Sequence, residues 1–169
     1  AAPDRILTPP KSDVSAQLDH LEESVGVLPL ALRCWCEEVG QVNLAGRHPD
    51  WPYDSLDPLV IDASVDYWQS EYEQWEADRG TEWDQGTFVL ELAPDYLHKD
   101  DISGGLPYAM AVPNTSVDGL FLGEYHNTTF TNYLRISFRL AGFPGWDRGE
   151  LDGWAKNPNR LPPALAALA

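Results

Sequence analysis

Apolar side chains recur at three- and four-residue steps near both ends of this chain and at two-residue steps between them. Leu18, Leu21 and Val25 share one helical face that Ser15 caps and Gly26 ends. Pro29 then opens a second helix, LALRCWCEEV, stopped at Gly40. QVNLAG and PLVID read as short strands, separated by a loop whose three prolines, Pro49, Pro52 and Pro58, forbid regular structure. From Ser64 to Arg79 the helical period returns, with Val65, Trp68, Tyr72 and Trp75 on the face expected to be buried. TFVLELA, LPYAMAVPN and GLFLGEY alternate as strands, most simply joined as a meander. Thr128 or Thr129 caps a last strong helix, FTNYLRISFRLAG, where Phe130, Tyr133, Leu134, Ser137, Phe138 and Ala141 share a side, Phe130, Leu134 and Phe138 are expected in the core, and Gly142 and Pro144 mark the end.

The order of elements predicts a single α+β domain, its mostly antiparallel sheet flanked by an N-terminal helix pair, a central helix and a C-terminal helix. Residues 1–15 read as an N-terminal extension, 16–146 as the domain, and 147–169 as a linker ending in a short apolar segment. The chain has 169 residues, a length at which one domain buries about 70% of its unfolded surface.

Charge is unevenly placed. Residues 1–49 carry 4 basic and 7 acidic side chains, residues 50–101 carry 2 and 15, and residues 102–169 carry 5 and 5. The middle segment alone therefore holds −13 of the net −16. Such a field repels phosphate backbones and anionic membrane surfaces, which argues against nucleic-acid or lipid binding and for a basic protein partner. On residues 64–79 the polar circumference forms two rows, Tyr67, Glu71, Gln74 and Asp78 in one and Asp66, Ser70 and Glu73 in the next. As a recognition face these rows offer Tyr67 as an aromatic anchor ringed by Asp66, Glu71, Glu73 and Asp78. The aromatic loop from His48 to Tyr53 is the alternative surface.

The stretch YLHKDDISGG, residues 96–105, holds a histidine, a lysine and two aspartates, yet its glycines lead into a strand and not into a helix N-terminus, so it is no phosphate loop. Its spacing matches neither a zinc nor an EF-hand pattern, and it reads as a turn between strands formed by Asp100, Asp101, Ser103 and the glycines. No metal or other cofactor is expected. Nucleophile-elbow, zinc-protease and P-loop motifs are all missing from the sequence. A glycosidase-like enzyme built from paired carboxylates is a remaining alternative, because the chain has 7 tryptophans and 27 acids. Cys34 and Cys36 are too close for an easy disulfide if helical, and reduced thiols with no membrane-length apolar run fit a cytoplasmic protein.

The run LEESVGVLPLALRCWCEEVGQVNLAG resembles the opening of the SUKH superfamily, which includes yeast cell-wall-synthesis regulators and bacterial immunity proteins. Leu28 and Pro29 match the entry to the second helix, Trp35 its aromatic position and Gly40 its stop, while Leu32 and Val39 depart from the usual aromatic and asparagine. FVLELAPDYLHKDDISGGLPYAMAVPN and TTFTNYLRISFRLAGFPGW are similar to the strand-turn-strand and closing helix of bacterial members, with Gly104, Gly105, Pro107 and Tyr108 in the turn. The resemblance implies a fold without catalytic residues, used in bacterial members to neutralise a cognate toxin, often a nuclease, and in the yeast relatives as a regulatory scaffold.

Overall fold

The computed structural model describes residues 6–45 and 56–147. Helix α1 spans Val14–Val25 and α2 spans Leu30–Glu38. The first begins just ahead of Ser15, because the Gln17 amide already bonds to the Asp13 carbonyl at 3.0 Å. Gly26, at φ 82°, ends it, its main-chain N–H donating a hydrogen bond to the Glu22 carbonyl. Leu18, Leu21, Leu32 and Cys36 interleave between the two helices and the sheets. Outside that seam, Arg33 joins the pair by reaching Asp19 and Glu22 at 2.7 Å each and Glu37 at 3.2 Å.

Strands β1 (Leu7–Thr8), β2 (Gln41–Asn43) and β3 (Val60–Ile61) form one antiparallel sheet in that order, with Leu7 opposite Val42 and Val42 opposite Ile61. The segment read as an extension thus supplies a strand. A second antiparallel sheet joins β4 (Val89–Ala93) to β5 (Tyr108–Ala111), with a register irregularity between Glu91 and Ala93. GLFLGEY makes only single bridges, Leu122 to Ala109 and Leu120 to Thr129. Its pairing stops because the buried Glu124 carboxylate closes a turn, accepting the amides of His126 and Thr128 at 2.7 Å each.

Helix α3 runs Val65–Asp78, and a one-turn helix α4, Tyr96–Lys99, occupies the connection between β4 and β5. Val65 and Trp68 are buried as the period predicts, while Tyr72 and Trp75 are half-buried and pack their rings on Phe88 at 5.2 and 5.5 Å. Helix α5, Phe130–Arg139, buries Phe130, Tyr133, Leu134 and Ser137 and leads to a 3-10 turn at Pro144–Asp147. Thr129 stands at its N-cap position, but the side chain that accepts a first-turn amide, from Thr131, is Asp118 at 3.0 Å.

Phe138 corrects one expectation. It is 65% exposed, whereas Ser137 is fully buried. The stripe that meets the core is centred on Phe130, Tyr133 and Ser137, with the Ser137 hydroxyl satisfied by the Tyr133 carbonyl at 2.9 Å, so Phe138 falls beyond its edge. Together these elements make a single-domain α+β fold with two small antiparallel sheets around one core. Among the described residues no helix is long and apolar enough to cross a membrane.

Candidate functional site

The side of the molecule where α3 meets β4 is built outward from Glu91. Two consecutive residues of α3 grip it: the Trp68 indole donates to its main-chain carbonyl at 2.7 Å, and the Tyr67 hydroxyl donates to its carboxylate at 3.0 Å. Trp68 lies in the core and Tyr67 is 43% exposed, so the helical turn that buries one side chain necessarily presents the other. Burial first, then the bond to Glu91 and the nearby charges of Glu91, Glu71 and Asp62, push the Tyr67 hydroxyl up to about 12.

Beside Tyr67 opens a cleft of about 390 Å³, lined by Asp62, Tyr67, Glu91, Asp95 and His98 with the prolines at 94 and 107, and with Leu92 and Ala93 buried beneath it. Asp62, which follows β3, accepts from the Gln41 amide at 2.8 Å, and burial raises its carboxyl above the usual range. Asp95 caps α4, accepting from the Leu97 amide at 2.8 Å and pairing with the His98 ring. Burial works to raise the Asp95 carboxyl, but the bonds from His98 and the Leu97 amide outweigh it and hold it below its ordinary value. Gly105 packs directly on this pair: a β-carbon there would lie 2.5 Å from the Asp95 carboxylate.

The stretch 96–105 is therefore a turn between strands, as its composition predicts, with a helical first turn and a structural load. Lys99, its third helical residue after Tyr96, is buried against Asp57. Asp101 takes the left-handed conformation at φ 60°.

Along α3 from Tyr67, a smaller depression of about 120 Å³ is lined by Glu71, Gln74, Trp75, Asp78, Trp83 and Glu91, among others. Trp83 is 68% exposed, and its loop is tied down: Asp84 accepts the amides of Gly80 and Gly86 at 2.9 and 2.8 Å, and Thr81 accepts that of Trp83 at 3.1 Å. Of the five residues the sequence singles out, Tyr67, Glu71 and Asp78 thus share one face. Asp66 and Glu73 do not join them; they lie about 120° away around the helix, and Asp66 is engaged by Lys11 at 2.6 Å. No described lysine or arginine pairs with Glu71, Asp78 or Glu91.

Comparison with protein-family models, with curated proteins and with solved structures found no match to this chain.

Sequence reasoning passes over Asp62, Glu91, Asp95 and Trp83, and sets His98 aside as part of a turn. The signal for the Asp95–His98 pair is a helix start, Pro94-Asp95 followed by His98 three residues on. Glu91 and Asp62 have no comparable mark, since they meet only where the end of β3 runs beside β4, the Asp62 main-chain amide donating to the Leu92 carbonyl at 2.7 Å. The loop from His48 to Tyr53 lies outside the described residues. Among the described residues no three His, Cys, Asp or Glu side chains gather as a metal-binding group.

Proposed function

We propose that this chain is a non-catalytic, cytoplasmic protein-binding module of the immunity type, built on the pattern its sequence shares with the SUKH superfamily, and that it binds and neutralises a basic cognate toxin such as a nuclease. The observation that carries the reading is one face on which two exposed aromatics, Tyr67 and Trp83, bracket the carboxylates of Glu71, Asp78 and Glu91 with no described cation neutralising them. Tyrosine and tryptophan concentrate interface energy because they bury much area and have little side-chain entropy to lose, while carboxylates around them speed encounter with a basic surface. A toxin that acts on nucleic acid must present such a surface.

The test uses the product of a toxin-like reading frame adjacent to this gene, or the partner that co-purifies from the native cell. Association should slow as salt rises, and Glu71→Lys with Asp78→Lys should slow it about tenfold or more at low salt, with an unchanged melting temperature. Asp66→Lys with Glu73→Lys, on the other row, should slow it less. An unchanged rate for the first pair at low salt would remove the α3 face as the site of recognition.

A further inference from the structure

We propose that the cleft between α3 and α4 receives a single arginine side chain of the partner. This deepens the reading above and rests on it for the identity of the partner as a basic protein.

The cleft has the volume of a small binding site, and its lining mixes apolar residues with the carboxylates of Asp62, Glu91 and Asp95, the last of these paired with His98. Leu92 and Ala93 are buried beneath it, and the prolines at 94 and 107 supply flat apolar walls. Among the described residues, the donors to Asp62 and Glu91 are neutral, the Gln41 side-chain amide and the Tyr67 hydroxyl, which leaves further lone pairs on each carboxylate. Neither lysine nor arginine is among the described lining residues. His98 is committed to Asp95 through Nδ1.

Acceptors around an apolar floor suit a guanidinium better than an ammonium. A guanidinium is planar and weakly hydrated, stacks on flat surfaces, and spreads five donors among separated acceptors, whereas an ammonium is a compact and strongly hydrated charge. Leu106, the residue before the lining Pro107, is 84% exposed, and an apolar residue flanking the arginine would cover it.

The test is an amide NMR titration of the whole chain with the peptide Ac-Gly-Leu-Arg-Leu-Gly-NH2, with the same peptide carrying citrulline, and with one carrying lysine. The arginine peptide should give saturable shifts centred on Glu91, Leu92, Ala93 and His98, and bind about tenfold tighter than the citrulline peptide, which has the same shape without the charge. Asp62→Asn with Glu91→Gln, which preserves shape and leaves the rest of the spectrum in place, should abolish the difference. Equal binding of the citrulline or lysine peptide, or shifts spread over the acidic surface without saturation, overturns the proposal. The titration contains no partner, so its failure leaves the α3 reading standing. Failure of the Glu71→Lys and Asp78→Lys test overturns that reading and leaves the cleft's preference for arginine intact.

Discussion

Lys99 Nζ lies 2.7 Å from Asp57 Oδ1, and solvent reaches neither side chain. The Tyr108 hydroxyl donates to the other Asp57 oxygen at 3.0 Å, and Lys99 sits 4.6 Å above the Tyr108 ring. Burial draws the Lys99 ammonium below its ordinary value, opposed by the charge of Asp57 and the bond to it. The pair joins the segment ahead of β3 to α4, and so holds the cleft wall that carries His98. Lys99→Met should cost about 3–5 kcal/mol, because it strands a buried carboxylate. Asp57→Asn combined with Lys99→Met should recover much of that loss, since asparagine tolerates the left-handed backbone at φ 48° and keeps an acceptor for Tyr108. Urea unfolding of the single and double variants measures both; a double variant no more stable than the single would show that the charge pair is not the source of the cost.

Trp83 is the second prediction. Its side chain is exposed, so Trp83→Ala should change stability by no more than about 0.5 kcal/mol, while dissociation of the partner quickens at least about tenfold. Tyr67→Ala should do the same to dissociation. A Trp83→Ala variant that releases its partner at the parent rate would confine the interface to the Tyr67 end of α3.

The two cysteines should differ sharply in reactivity. Cys36 is buried in the core, and that burial pushes its thiol up to about 12, while Cys34 is exposed. A disulfide reagent near neutral pH should therefore modify one thiol per folded chain, at Cys34, and reach the second only after denaturant is added. Modification of Cys36 at a similar rate in the native protein would contradict the packing of α2.

Stability should also respond to alkali through Tyr67. Its ordinary value is 10.0 and its folded value about 12, so the folded state holds the phenolic proton more tightly than the unfolded chain does. The contribution is complete below about pH 10 and is lost as pH rises toward about 12. Subtracting the tyrosinate absorbance titration of Tyr67→Phe from that of the parent isolates this hydroxyl among its neighbours. A difference curve centred near 10 would mean that neither the burial of this hydroxyl nor its bond to Glu91 persists in solution.

Local patterns carried the helices well. Leu18, Leu21 and Val25, or Val65 and Trp68, declare their face within a dozen residues because a helix repeats its own geometry. Phe138 shows where that logic ends: period says which residues share a stripe, but the width of the stripe is decided by the neighbouring elements, and here a small serine with an internal hydrogen-bond partner took the place in the core. Tyr67, Glu71 and Asp78 were legible as one row of α3 for the same local reason. Their counterparts were not. Asp57 and Lys99 are 42 positions apart, and Tyr67 and Glu91 are 24 apart, so no spacing rule links them. The division of GLFLGEY into single bridges likewise depended on the buried carboxylate of Glu124, which in sequence looks like any surface acid.

The double grip on Glu91 has a kinetic corollary. Helix α3 cannot rotate about its axis without breaking a bond to that residue's main chain or to its carboxylate, so Tyr67 is held in one pose before any encounter. A partner then meets a side chain whose conformational freedom is already spent, and the ordering cost of forming the complex shifts to the other molecule.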